Sequence, residues 1–532
     1  MPTHLTRTSI IKNNALPYLF PPGLEARVTI SRGALCSSAV ILLTLVSLGC
    51  GAGNSTPVTT VTPTANPLVA QYNINHFHPG LTAWVEFGTT TTYGRQTSVM
   101  TDSVSVPGGQ RLKILVAGML PQTTYHMRAH VDWVGGSWVD QDQMFTTGAI
   151  PAAQTVPQFK ATRPTSTFAT VSPSGGVELL SLVNGPTGAL QGVATDLQGN
   201  VIWYCSGEAI PVKPMQNGNY IFMRGYGLEE LDLACNLVRK VTTAQMDQSL
   251  QAHGYSFPPL DSLHHDMLVL PNGHWIALGQ ITKSVTADGY GTLDVQGDVL
   301  IDVDPLGNVV WAWSAFDHLD INRHLFGLPD WTHSNALVYT SDGNLLLSMR
   351  NQSWILKIDY ENGTGSGNIL WKLGEDGDFT LLGGDPSQWF YAQHYPSILN
   401  VNGSQTTMAI YDDGDLRIAP DGTPCEPPIP PVTNCYTRAT IFQIDESTML
   451  ASLQWAYSPG FFSFFGGSID VLSNGDVEFD SSAAFGFADS SEVLEVTQTD
   501  SPQVVWQMVV TGAQAYRGFR IPSLYPGVTW QQ

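Results

Sequence analysis

Basic residues are scarce in this chain, with 23 Lys and Arg against 45 Asp and Glu over 532 residues and a formal net charge of −22. A phosphate-binding surface needs clustered Lys and Arg, so the composition argues against nucleic acid as a partner. Any anionic substrate must be attracted by a local cationic pocket rather than by the field of the whole protein. Charged residues of both signs make up only 13%, and no long amphipathic helical pattern is present. Cysteine is limited to six, without Cys-x-x-Cys or any zinc-type spacing, which argues against a structural zinc site.

Glycine (51) and proline (34) are plentiful, as expected of an all-β, mostly antiparallel protein with many turns. A hairpin of the form apolar-Asp, turn, apolar-apolar-Trp recurs along the second half. It is read as TDLQGNVIWYC at Asp196, DVDPLGNVVWAW at Asp304, KIDYENGTGSGNILWKLG at Asp359 and QIDESTMLASLQWAY at Asp445. Weaker copies are LDLACNLVRKV at Asp232 and VTQTDSPQVVWQM ending near Trp506. Between these outer hairpins lie inner ones turning at Gly218, Gly273, Gly343, Gly403 and Gly475. Four short strands per unit, repeated six times, predict a six-bladed β-propeller over 175–532, with its first inner hairpin poorly marked in GGVELLSLVNGPTGAL.

Three of the repeats open on histidine. These are LHHDMLVLPNG with His264 and His265, WTHSNALVYTSDG with His333, and QHYPSILNVNG with His394. Arg350 ends LLLSMR, the strand that pairs back after His333. A lone histidine opening a propeller strand is usually structural. Three in register with an arginine on the paired strand instead suit an anionic group that is bound and transferred. Register prefers His264 over His265. Asn335 is read either as a ligand of that anion or as a strand cap. His253, His274, His318 and His324 share no register and are read as structural or surface residues. Asp412, Asp413 and Asp415 in YDDGDLR are read as an acidic turn rather than a cation site. Trp331, Trp354, Trp389, Phe390 and Tyr391 are read as blade core or as walls for an aryl ring.

The N-terminal part is organised differently. Arg27 and Arg32 precede the apolar run ALCSSAVILLTLVSLGC, which has the length of a signal-peptide core and is short for a bilayer span, so 1–50 reads as an export segment. Cys50 at its end is a candidate lipidation site, with plain cleavage or a retained anchor as alternatives. Residues 51–70 form a Ser/Thr/Pro linker, and 149–174 a second Pro/Thr-rich one. Between them, 71–148 alternates like strands and carries the Leu-Pro-x-Thr-x-Tyr turn of a small fibronectin/immunoglobulin-like β-sandwich. Cys425 and Cys435 flank a Pro-rich loop and are expected to form a disulfide; Cys205 and Cys235 either pair or are simply buried.

The series HHDMLVLPNG, DWTHSNALVYTSDGNLLLSMRNQSWILKID, WKLGEDGDF and QHYPSIL resembles the bacterial arylsulfate sulfotransferase family over roughly 180–520. The resemblance implies a periplasmic six-bladed propeller behind an N-terminal β-sandwich. It implies sulfuryl transfer from a phenolic sulfate ester to a phenolic acceptor, with no cofactor and no nucleotide donor. His394 matches the histidine that is transiently sulfated, His333 and Arg350 match residues that neutralise the sulfuryl oxygens, and one of His264 and His265 matches the remaining histidine. Tyr395-Pro396 stands where relatives often carry an acidic residue after the Gln-His pair. The partners implied are small molecules, with membrane contact only through a lipid anchor; a homodimer is compatible with the sequence. Two other classes share these hairpins. A quinone-dependent propeller dehydrogenase needs more blades and metal-binding acids, which are not found. A non-catalytic exported propeller that binds a glycan or protein ligand needs no nucleophile, and only the His/Arg constellation separates it from an enzyme.

Overall fold

The aspartate of each outer hairpin explains its recurrence. Asp196 Oδ1 accepts the N–H groups of Gln198 and Asn200, Asp232 those of Ala234 and Asn236, and Asp304 those of Leu306 and Asn308. The side chain thus closes its own turn and satisfies amides that the ladder leaves unpaired. In the computed structural model the described residues are 56–530 except 77, 79, 103–109, 165–171, 208, 426–434 and 484–489. They are all-β, in sheets that are antiparallel apart from one short parallel pairing of Thr380–Leu381. One α-helix, Thr243–Ala252, starts at a capping box formed by Thr242 and Gln245. Among the described residues no helix is long and apolar enough to cross a membrane.

Six sheets of four or five strands follow one another from residue 158 to 521. The third, for example, runs Ser262–Val269, Trp275–Ala287, Gly291–Val303 and Val309–Ser314 in order. The first and sixth sheets exchange strands. The C-terminal strand Gln514–Ile521 pairs with Val177–Val183, and Gln158–Thr162 pairs with Val504–Thr511 in the sixth sheet. The expected hairpin in GGVELLSLVNGPTGAL therefore has a different form: Val177–Val183 does pair with Gly192–Thr195, but its other neighbour comes from the far end of the chain. The strand Gln158–Thr162 also falls inside a stretch read as linker, as does Val58–Pro63, which pairs with Ala70–His76.

Four of the hairpin tryptophans stitch neighbouring sheets, whereas the buried Nε1 of Trp371 meets no acceptor among the described residues. Trp203 Nε1 donates to the Leu233 carbonyl in the turn of the second sheet (2.8 Å), Trp313 to Gly367 in the fourth (2.9 Å) and Trp455 to Thr499 in the sixth (3.0 Å). Trp506 of the sixth sheet donates to Leu197 in the turn of the first (2.9 Å), so the same rule links the last sheet to the first. A disulfide between Cys205 and Cys235 ties the first two sheets, and Cys425 pairs with Cys435 as expected.

The N-terminal strands form two sheets, one of them built on Leu81–Gly88 paired with Thr124–Trp133. In the Leu-Pro-x-Thr-x-Tyr turn, the Leu120 N–H donates to the Tyr125 hydroxyl (3.0 Å). The C-terminal tail docks here: the Ala117 N–H donates to Tyr525 Oη (2.7 Å), and Trp530 Nε1 donates to the Gln96 carbonyl (2.9 Å). Gly118 is required, because a Cβ there would lie 2.3 Å from the Trp530 ring.

Arg520 on the C-terminal strand is almost fully buried among Glu178, Glu478 and Glu495, which come from the first and sixth sheets. Burial and the Glu178 charge push the Glu478 carboxyl well up, against the pull of Arg520. Three carboxylates around one cation make the arginine indispensable. Arg520→Ala is expected to lower stability by about 3–5 kcal/mol in urea unfolding at pH 7. Carboxyls whose folded pKa is raised lose stability as pH rises, so this deficit should narrow as pH falls toward 5.

Candidate active site

The hairpin His394–Asn402 with Gln405–Asp412 turns at Gly403, as read from the sequence, and sets His394 opposite Tyr411. The residues that follow Tyr411 therefore lie beside the histidine. His394 is 1% exposed, and its Nδ1 is hydrogen-bonded to Asp413 Oδ2. The Gly466 N–H approaches His394 Nε2 at 3.3 Å as a donor. Nε2 therefore carries the lone pair, and the ring proton sits on Nδ1 against the carboxylate. Burial, then the charges of Arg517, Arg350 and His333, hold His394 far below the usual imidazole range. The ring is a neutral base with one nitrogen held from behind and the other unprotonated. Gly466 is fixed by crowding, since a Cβ would meet Ser482 Oγ at 2.1 Å.

Gln393 anchors the histidine to the preceding sheet. Its amide nitrogen donates to Ser348 Oγ (3.1 Å) and to the carbonyls of Met349 (3.2 Å) and Trp354 (2.9 Å). Asn335 donates to the Gln393 carbonyl at 2.7 Å, while its own Oδ1 is buried without a partner. One of its N–H bonds is thus committed to the peptide before His394.

Arg350 and His333 are neighbours through the backbone, the Arg350 N–H donating to the His333 carbonyl (3.2 Å). His333 Nδ1 meets Asp330 Oδ2 at 2.5 Å, and among the described residues no hydrogen bond to its Nε2 is found. The Arg350 guanidinium bonds Asp415 Oδ2 (3.2 Å) and the Phe464 carbonyl (3.0 Å) and lies 4.7 Å over the Phe326 ring. Burial, opposed by Arg350 and assisted by Asp412, raises Asp415 to about 7. Asp413 is also pushed well up, by burial and by Asp415.

The histidine pair divides its roles. The register of the strand shifts between Leu263 and Met267, and His265 sits at a φ of 62°. That bulge turns the His265 ring against His333 (centroids 4.8 Å apart) and Tyr516 (5.6 Å), where repeat register alone had favoured His264. His264 stands behind it, with Nδ1 2.7 Å from His265 Nδ1 and Nε2 3.3 Å from Asp298 Oδ1. Burial and the facing groups His333, His264, His394 and Arg517 depress His265 as well. Positive φ also occurs at His333 (45°) and Tyr395 (41°), so three site residues hold strained backbone.

A cavity of about 410 Å³ lies against His264 and His265, with Phe465 and Tyr516 among apolar walls that include Ile210 and Met223. A larger one, about 1040 Å³, lies between the N-terminal sheets and the Asn217–Asn219 turn, and none of these histidines lines it. Of the two, the smaller is the one lined by members of the histidine cluster.

A family model described as arylsulfotransferase (ASST) matches residues 169–520. The chain belongs to that family. No curated protein matches it. Among solved structures, it is similar to a streptogramin B lyase at 12% identity and TM-score 0.27, covering 60% of this chain and 94% of that one. It is also similar to an inactive virginiamycin B lyase from Staphylococcus aureus with quinupristin, at 11% identity and TM-score 0.23, covering 66% and 99%. A Bacteroides caccae protein of unknown function gives 11% and 0.24, covering 53% and 94%. Likenesses this weak carry no argument.

For an arylsulfotransferase family member, several residues here were not foreseen. Asp413 and Asp415 belong to the run read as an acidic turn, yet both are fully buried and hold His394 and Arg350. Hairpin symmetry about Gly403 is the signal that pairs 394 with the residues after 411. Arg517 and Tyr516 lie in AYRGFR, outside the histidine register. Trp331, Trp354, Trp389, Phe390 and Tyr391 pack in the sheet cores, and the aromatic neighbours of the histidines are Tyr516 and Phe465. Cys50 and the rest of 1–50 lie outside the described residues.

Because His394 is held below the imidazole range, it stays neutral where an exposed histidine would be protonated. The acid limb of kcat/KM is therefore expected well below pH 6.5, read from a pH–rate profile. Asp413→Ala frees Nδ1 and is expected to lower kcat on the order of 10²-fold.

Proposed function

We propose that this sulfotransferase moves a sulfuryl group from a phenolic sulfate ester to a phenolic acceptor by a ping-pong route through His394, without a nucleotide donor. The observation that carries the reading is the unprotonated Nε2 of a buried His394, backed by Asp413 and flanked by two arginines. In the first half-reaction Nε2 attacks sulfur, the sulfur to aryl-oxygen bond breaks, and the phenolate leaves. His333, with Nδ1 on Asp330, is placed to hold the proton that the phenolate takes. In the second half the acceptor phenol returns a proton, its oxygen attacks sulfur, and the N–S bond breaks to restore neutral His394. The transition state is loose and its charge gathers on oxygen, so the protein mainly positions and neutralises. Arg350 suits sulfuryl oxygens by its planar fork, and the cavity beside His265 suits an aryl ring.

The scaffold reading is part of the same proposal. The six sheets are the blades of a closed propeller over 175–532, with a fibronectin-like sandwich over 71–148. The repeated tryptophan-to-turn bond, running also from the last sheet to the first, supports closure. Residues 1–50 direct export, with Cys50 as a lipidation site, and the two disulfides are consistent with an oxidising compartment.

Purified protein with a chromogenic aryl sulfate should release phenol product, and a second phenol should accelerate release and become sulfated. His394→Ala is expected to abolish turnover, and Arg350→Met to lower kcat by about 10²- to 10³-fold. A folded wild type inactive on a panel of aryl sulfates would point instead to a binding protein.

A further inference from the structure

The guanidinium of Arg517 differs from those of the other two arginines buried to the same class, Arg417 and Arg438, which both pair with Asp412. Arg350, Arg417, Arg438 and Arg520 each bond at least one carboxylate. Arg517 is 0% exposed, and all its partners are neutral oxygens. It donates to the carbonyls of Gly467, Tyr516 (3.1 Å) and Asn335 (2.8 Å) and to Tyr516 Oη (3.3 Å). Its Nε meets no acceptor, and among the described residues no carboxylate lies within 4.0 Å of its nitrogens. The rings of Tyr516 and Tyr395 cover it at 4.3 and 5.1 Å. A buried cation without a counter-ion is costly unless an anion comes to it.

Its position says which anion. Tyr395 follows His394 directly, Asn335 bonds the peptide before His394, and the Tyr516 ring lies 6.2 Å from the His394 ring. We propose that Arg517 is a positioning residue of the transfer reaction, the fixed positive charge that the sulfuryl group neutralises when it arrives at His394. This rests on the reading of His394 as the sulfuryl carrier. Four of the five guanidinium N–H bonds are held by protein oxygens, so the residue acts through its field, and Arg350 remains the group placed to touch the sulfuryl oxygens.

The electrostatic surroundings agree. After burial, Arg517 is the largest influence holding His394 down, ahead of Arg350 and His333. The groups facing His394 from other elements are Asp413 on the hairpin, Arg350 and His333 from the fourth sheet, His265 from the third, and Tyr516 with Arg517 from the C-terminal strand. Of the charges facing Arg517, Lys213 and Asp266 pair with each other at 2.5 Å. Asp480 bonds the Gly518 N–H and Ser468, and burial, opposed by Ser468 and Arg517, raises it to about 7. Asp413 is engaged by His394.

The test is titration of His394 by NMR in the full chain, for wild type, Arg517→Gln and Arg517→Lys. Removing the charge should raise the His394 pKa by about one unit or more, and keeping it as lysine should leave the titration near wild type. The acid limb of kcat/KM should shift upward in Arg517→Gln by the same amount, with kcat falling more than KM rises. In wild type, saturating inorganic sulfate should also raise the His394 pKa, an arm that does not require a variant to fold. An unchanged titration in folded Arg517→Gln, or in wild type with sulfate, overturns the proposal. If wild type titrates as expected yet turns over no aryl sulfate, the reading of the reaction fails, while the charge effect on His394 is still judged by the titration.

Discussion

The pairing of Gln514–Ile521 with Val177–Val183 is the constraint on which the rest of the structure depends. It joins the two ends of a run of six sheets. The same strand carries Arg520 into its nest of three glutamates, and Tyr516 and Arg517 to the edge of the histidine cluster. Pairing of the chain's far end with the first sheet and assembly of the histidine cluster thus depend on the same strand. A chain that failed to place this strand would lose Arg520 from its three glutamates and Arg517 from the surroundings of His394 together.

The site itself is organised around keeping one imidazole neutral. Burial and surrounding guanidiniums push His394 and His265 toward the uncharged form, while buried Asp413 and Asp415 are pushed toward theirs. The positive charge that remains fixed lies on Arg350 and Arg517. An anion entering such a place meets cations that do not have to reorganise, next to an imidazole whose unprotonated Nε2 is approached by the Gly466 N–H. With an overall charge of −22, this cluster of cations is a local exception to the field of the whole molecule.

Much of this was legible in the sequence for a physical reason. Aspartates that close their own turns and tryptophans that bond the next sheet act locally and repeat, so Asp196, Asp304 and Trp506 mark their hairpins directly. The strands Gln158–Thr162 and Gln514–Ile521 were harder, because their partners lie hundreds of residues away and no local pattern records that. The choice between His264 and His265 was harder, because the strand carries two more residues than its partner between Leu263 and Met267 and no local pattern records such a bulge. Asp413 and Asp415 looked like a solvated turn, because burial of a carboxylate depends on cations brought from other sheets. Arg517 gave no signal, because what distinguishes it is the lack of a counter-ion in three dimensions.

The most direct measurement is the mass of the protein after brief exposure to an aryl sulfate with no acceptor, followed by peptide mapping under neutral conditions. The account predicts one sulfuryl group on the peptide containing His394, acid-labile as an N–S bond should be, and lost when a phenol is added. Turnover without such an intermediate, or a sulfuryl group on another residue, would contradict it.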